Sequence, residues 1–325
     1  MKTALVTGIT GQDGSYLAEQ LLERGYEVVG LVRRSSSPNT HRIDAILPRV
    51  TVRWGDLLDS DSLNDAVSAT RPDEIYHLAA QSDVGLSFKQ PVLTTEVNAL
   101  GTVRLLQAVR RHAPDARMYV ASTSEMFGNA ATTPQSESTP FAPRSPYGAA
   151  KVYAHHMAVH YRQAYGMFIA CGIGFNHESP RRGERFVTQK VARQVARIAR
   201  GEANELSLGN MAARRDWGFA PDYTDAMWRM LQVDEPDDYV VCTGETHTVR
   251  EFCEAAFARV GLNADDHVVV DERFYRPAEV DLLVGDSSRA ADRLGWQPTM
   301  SFTKLVETMV DADLALLEGR LDRLA

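Results

Sequence analysis

Thr3-Ala4-Leu5-Val6-Thr7-Gly8-Ile9-Thr10-Gly11-Gln12-Asp13-Gly14-Ser15 is the stretch that decides the fold. Thr3 to Val6 is a short apolar run of strand type, and glycines stand at positions 8, 11 and 14 directly behind it. From Ser15 to Arg24, Leu17, Leu21 and Leu22 repeat at helical spacing, and Gly25 suits the residue just past a helix end. A strand, a glycine-spaced loop and a helix form a phosphate cradle. The glycines let backbone N–H groups approach a diphosphate at the positive end of the helix. The spacing Gly-x-x-Gly-x-x-Gly differs from the usual Gly-x-Gly-x-x-Gly, but the strand before it and the helix after it are what a dinucleotide site requires.

Working outward, Glu27 to Val32 is the second strand. A selector for NAD places Asp or Glu at its end, on the ribose hydroxyls. Here Arg33-Arg34-Ser35-Ser36-Ser37 follows instead, and guanidiniums with hydroxyls suit a 2′-phosphate, which favours NADP. Val50 to Trp54 is a third strand, ending near Asp56, which suits an adenine amino group. Glu74 to Leu78 is a fourth, leading into the small residues Ala79-Ala80-Gln81-Ser82. A helical pattern from Pro91 to His112 precedes the strand Arg117 to Ala121. This alternation predicts an α/β fold, a doubly wound parallel Rossmann sheet with right-handed crossovers.

The fifth strand runs into Ser122-Thr123-Ser124-Glu125, placing hydroxyls and a carboxylate at the ligand-facing edge of an open sheet. Tyr147 and Lys151 then lie four apart on one helix face, so the ammonium is expected beside the phenol, lowering its pKa from about 10. Taken alone that pair is an ordinary helix start; the glycine loop gives it weight. The Pro-studded run Phe127 to Pro146 is long for a connection and is expected to cover the site.

With 325 residues, the chain fits two lobes better than one core. A net charge of -8 argues against a general nucleic-acid binder. Apolar runs stay well short of the ~20 residues that span a bilayer, and Met1-Lys2 leads straight into a strand, so no membrane partner and a cytoplasmic location are expected. Cys171, Cys242 and Cys253 show no metal spacing and no disulfide framework, and no metal is expected. Met167 to Gly174 is a further strand, ending in the polar cluster Phe175-Asn176-His177-Glu178-Ser179-Pro180-Arg181-Arg182-Gly183. Val187 to Arg200 reads as a helix carrying Lys190. Tyr239 to Cys242 reads as a strand returning to the sheet, so the lobes interleave: 1–173 with 217–243, and 174–216 with 244–325.

Together with Arg215-Asp216-Trp217-Gly218, these motifs resemble the GDP-mannose 4,6-dehydratase branch of the extended short-chain dehydrogenase/reductases, from about residue 2 to about residue 315. The resemblance implies that Thr123, Glu125 and Tyr147 are catalytic and that Lys151 contacts the cofactor. It implies NADP contacts at Gly8, Ile9, Thr10, Gly11, Gln12, Asp13, Arg33, Arg34, Ser35, Ser36, Asp56, Leu57, Leu78, Ala79, Ala80, Gln81, Ser82, Leu93, His177 and Arg182. Around a GDP-sugar it implies Ser82, Ser87, Asn176, Val187, Lys190, Arg215, Arg276 and Glu279. It further implies a homo-oligomer, dimer or tetramer, joined through the segment from Arg33 to Arg42. Asp83 and Gly174 depart from the family pattern near the expected sugar pocket and leave the hexose open, a heptose included.

The implied reaction begins when Tyr147 takes the proton of the sugar O4 as hydride leaves C4. Glu125 then removes the C5 proton and protonates the departing C6 hydroxyl, and hydride returns to C6. A 4-epimerase or ketosugar reductase needs the Tyr-Lys pair but no such carboxylate. A non-enzymatic NADP sensor of the same fold is the remaining alternative, one that usually lacks the pair.

Overall fold

Seven parallel strands, β1 (Thr3–Thr7), β2 (Glu27–Val32), β3 (Val50–Trp54), β4 (Glu74–His77), β5 (Arg117–Thr123), β6 (Ile169–Gly174) and β11 (Asp238–Val241), form one sheet in the order β11-β6-β5-β4-β1-β2-β3. The computed structural model describes residues 1–321 apart from 38, 276, 277, 279 and 281. Arg276 and Glu279, expected at the sugar nucleotide, therefore lie outside the described residues. The small strands between β6 and β11 are β7 (Asn176–Glu178), β8 (Leu206–Leu208), β9 (Arg214–Arg215) and β10 (Trp217–Phe219), and β12 (His247–Thr248) and β13 (Val268–Val270) follow. They pair as β7 with β10, β9 with β12 and β8 with β13.

The strands read as apolar runs because both faces of the sheet are covered. On one face lie α1 (Gln12–Glu23) and α8 (Ala220–Met230), in a core with Val6, Leu17, Leu21, Tyr76 and Tyr119. On the other lie α2 (Ser60–Thr70), α5 (Gly101–His112) and α6 (Pro146–Tyr165), against Leu5, Ile75, Met118 and Ile169. The chain leaves β1 toward β2 on one side and reaches β4 on the other, so the crevice outside their carboxyl ends is the switch point where such sheets bind ligands.

The long pattern from Pro91 to His112 is not one regular helix. After α3 (Val84–Lys89), α4 (Pro91–Thr95) passes through a π-helical turn, Glu96–Leu100, into α5. That turn carries Asn98, whose side-chain amide accepts from the Gln81 backbone N–H and donates to the Gln81 carbonyl, both at 2.8 Å. Such bulges occur often at functional sites, and this one pins the loop after β4.

A separate core gathers α7 (Val187–Ala199), α9 (Val249–Arg259) and α11 (Phe302–Leu317) around Val191, Trp217, Phe252, Phe257 and Met309. Ala290, Leu294 and Trp296, on and just beyond α10 (Ser288–Leu294), share the core of the sheet instead. β11 joins the sheet beside β6.

Candidate active site

The catalytic wall is built where β5 ends and α6 begins. Thr123 and Glu125 leave the strand end in an extended residue and a short 3-10 turn, and the Glu125 N–H donates to Thr123 Oγ1 at 3.3 Å. Ser145 caps α6 by accepting from the Gly148 N–H at 3.0 Å, and Pro146 supplies a pre-set first turn. A cap of this kind is worth about 1 kcal/mol. Gly148 lets α6 press on the turn, since a Cβ there would stand 2.7 Å from the Glu125 carbonyl oxygen. Thr123, Glu125, Tyr147 and Lys151 thus meet, all buried, on one cleft of about 1450 Å³.

The electrostatics differ from the sequence expectation. Burial raises the Tyr147 phenol, its hydrogen bond to Thr123 lowers it and the Glu125 charge raises it again, leaving it at about 12. Lys151 does not set the phenol directly. Its Nζ donates to the Ala121 carbonyl oxygen at 2.7 Å, and burial brings the ammonium down to about 8. A buried ammonium requires an acceptor, and the end of β5 supplies it.

The opposite wall is docked onto the glycine loop. Gln12 Nε2 donates to the His177 carbonyl at 3.0 Å, and Ser179 Oγ donates to Gln12 Oε1 at 2.8 Å. His177 lies with Nδ1 2.7 Å from the Phe175 carbonyl and Nε2 3.0 Å from Asp13 Oδ2, its ring stacked 4.4 Å from Tyr223. Burial raises the Asp13 carboxyl, but the His177 charge and hydrogen bond outweigh it and hold it at about 2. Arg181 reaches Glu19 at 2.7 Å and Ser15 at 3.1 Å, with its guanidinium 4.0 Å from the Tyr16 ring centre. Arg182 Nε lies 3.1 Å from Glu178 and over the Phe186 ring, and Thr188 donates to the same Glu178 carboxylate.

The loop fits a dinucleotide. Gly8 has φ 74°, and a Cβ there would stand 2.8 Å from Ala79 N; at Gly14 it would stand 2.3 Å from the Gly8 carbonyl oxygen. The N-cap of α1 is Gly11, which offers no side-chain acceptor, so the first-turn N–H groups remain for an anion. Gly8, Thr10, Gly11, Gln12, Asp13, Arg33, Asp56, Leu57, Leu78 to Ser82, Leu93, Lys151, His177 and Arg182 line the cleft, and so do Asn176, Val187, Lys190 and Arg215.

Five expected residues are placed otherwise. The Ile9 side chain is in the core, close against Gly30. Arg34, Ser35 and Ser36 are exposed on the loop after β2 and outside the cleft lining, with Arg34 directed to the Trp54 ring at 5.9 Å. Ser87 is fully buried and donates to the Val84 carbonyl at 2.6 Å, a helix back-bond instead of a cleft contact. Sequence reasoning missed Tyr119 and Thr188 as lining residues and gave Arg42 no cleft role. Arg42 Nε donates to the Arg181 carbonyl at 2.8 Å, a long-range bond that no local pattern signals.

Residues 5–309 match the family model described as GDP-mannose 4,6 dehydratase. Over 327 residues the chain is 55% identical to GDP-mannose 4,6 dehydratase 1 of Arabidopsis thaliana, covering 97% of this chain and 90% of the relative. Among solved structures it resembles Thermus thermophilus UDP-glucose 4-epimerase in complex with NAD, at 28% identity and a TM-score of 0.84, over 96% of this chain and 98% of the other. It also resembles RMD of Pseudomonas aeruginosa complexed with NADPH, at 27% identity and a TM-score of 0.81, over 97% and 99%.

Proposed function

The chain belongs to the GDP-mannose 4,6-dehydratase family, and on that premise we propose that it is a hydro-lyase converting GDP-D-mannose to GDP-4-keto-6-deoxy-D-mannose with NADP as its resident dinucleotide. Membership supports a dehydratase acting on GDP-mannose with a nicotinamide cofactor. The preference for NADP rests on Arg33, whose guanidinium chemistry suits a 2′-phosphate at the end of β2. A cytoplasmic homo-oligomer, and the division into the two interleaved lobes, extend the proposal from the family resemblance and the sequence.

When bound, the cofactor supplies the acceptor and later the donor of hydride. The chain's own groups handle the protons. Tyr147, acting as the phenolate, takes the proton of O4 while Thr123, whose hydrogen bond lowers the phenol, orients it. Glu125 takes the C5 proton, made acidic by the adjacent ketone, and delivers a proton to the leaving C6 hydroxyl. Each such step is worth roughly 10²–10⁴-fold. The observation that carries this reading is that Glu125 and Tyr147 share one buried cleft wall, joined through the contact at Gly148. An epimerase has no use for a carboxylate there.

The test is GDP-mannose carrying deuterium at C4. The expected product carries that deuterium at C6 and has lost one water. Recovery of an epimerised sugar with no water lost, or a preference for UDP-sugars, would overturn the reading.

A further inference from the structure

Away from the cleft, three donors of different chemistry converge beneath the catalytic helix. His155 comes from α6, Cys171 from β6 and Asp238 from β11, and their Nε2, Sγ and carboxylate oxygen all lie within 4.8 Å of one another. His155 and Cys171 are buried; Asp238 is partly exposed and gives a way in from solvent. The His155 Nδ1 lies 2.9 Å from Ser122 Oγ, and edge-on contacts with Phe141 and His156 fix the ring. Arg162 donates to Asp238 Oδ1 at 3.0 Å and leaves Oδ2 toward the imidazole. Asp238 and Ser122 both face the Cys171 thiol.

The Nε2 to Oδ2 separation of 3.7 Å is too long for a hydrogen bond. Zinc bonds of about 2.0–2.2 Å place a nitrogen and an oxygen ligand roughly 3.3–3.5 Å apart across a tetrahedral centre, so this pair need close by only a few tenths of an ångström to share one ion. Ser122 plays the part that an outer partner plays for a metal-bound imidazole, holding the far nitrogen and aiming the near one.

We propose that His155, Cys171 and Asp238 form a zinc-class metal site, with the fourth position open to water. Thiolate and imidazole donors select zinc or cobalt over magnesium or calcium. On binding, the Cys171 S–H bond breaks, a zinc–sulfur bond forms, and the proton leaves to solvent. The Arg162 contact restricts Asp238 to one oxygen. The bound ion would tie α6, which carries Tyr147 and Lys151, to β6 and the returning strand β11. The three donors lie outside the cleft lining, so the ion would brace the fold behind the catalytic helix without meeting the substrate.

The experiment uses the full chain stripped with a chelator, then titrated separately with Zn²⁺ and Co²⁺. One equivalent of either is expected to bind. The cobalt form should show a thiolate-to-cobalt charge-transfer band and the visible bands of a tetrahedral site. Cys171→Ser should abolish the charge-transfer band, and Asp238→Asn should weaken metal affinity at least tenfold. Cys253→Ser, in the separate core around α9, should leave both unchanged. Should Cys171→Ser fail to fold, His155→Gln should weaken metal affinity at least tenfold and shift the visible bands of the tetrahedral cobalt site. Uptake without saturation, or a charge-transfer band that survives in Cys171→Ser, would overturn the proposal and leave the cluster as a hydrogen-bonded core network.

Discussion

Both nitrogens of His177 face acceptors: Nε2 stands 3.0 Å from Asp13 Oδ2, and Nδ1 stands 2.7 Å from the Phe175 carbonyl oxygen. A neutral imidazole has one N–H, so satisfying both requires the imidazolium. Burial works against that charge, but Asp13 outweighs it and raises His177 above its usual value, with Arg182 opposing. The pair clasps β7 onto the first turn of α1 and removes a negative charge from the mouth of the phosphate cradle.

This sets a pH dependence with a definite sign. A raised His177 stabilises the fold fully below its unfolded pKa of about 6.5, and that contribution is lost as pH rises through the higher folded value. Asp13, depressed to about 2, contributes above about 4 and loses its contribution as pH falls toward 2. Cofactor dissociation constants measured by calorimetry should rise as His177 deprotonates. His177→Gln should flatten that dependence; an unchanged pH profile in the variant would remove the role.

Tyr147 at about 12 is neutral near pH 7 before ligands bind, so kcat/KM should climb with pH. Thr123 lowers the phenol, so Thr123→Val should push the rising limb to higher pH, while Thr123→Ser restores it. Tyr147→Phe should cost on the order of 10²–10⁴-fold in turnover with little change in melting temperature. Pre-steady-state rates across pH check all three.

Glu125→Gln should separate the two halves of the reaction. An amide cannot take the C5 proton, so hydrogen at C5 should stop exchanging with D₂O while binding of GDP-mannose persists. NMR of the recovered sugar nucleotide reads this directly, and undiminished turnover would return Glu125 to a structural role.

Arg33 and Arg34 are adjacent in sequence, yet only Arg33 lines the cleft. Arg33→Ala should weaken NADP roughly tenfold or more relative to NAD, the loss of a charge-assisted phosphate contact. Arg34→Ala should change both cofactors little. Equal losses for NADP and NAD in Arg33→Ala would withdraw the 2′-phosphate assignment.

Gly8→Ala should destabilise the fold by about 1–3 kcal/mol, because it forces a side chain into the left-handed region and against Ala79 backbone. Thermal melting checks this. Gly25→Ala, also at positive φ but with open space around it, should cost less.

The sequence by itself determined what depends on short-range pattern. Glu27–Val32 forms the strand read from its apolar run, because a parallel strand buried on both faces is marked by composition alone. The glycine loop and the Tyr147–Lys151 spacing were legible for the same reason, each being set by a few consecutive residues. Tertiary structure decided what depends on long-range contact. It broke the 91–112 pattern at Asn98, whose bonds to Gln81 cross seventeen residues of chain. It gave the Lys151 ammonium the Ala121 carbonyl as its acceptor, kept Ser87 in a helix back-bond, and set Arg34 on Trp54. It also brought Asp13 to His177, 164 residues apart, and His155 to Cys171 and Asp238 across three elements. Side-chain charge and direction follow from burial and from the partners that the fold delivers, and local spacing carries neither.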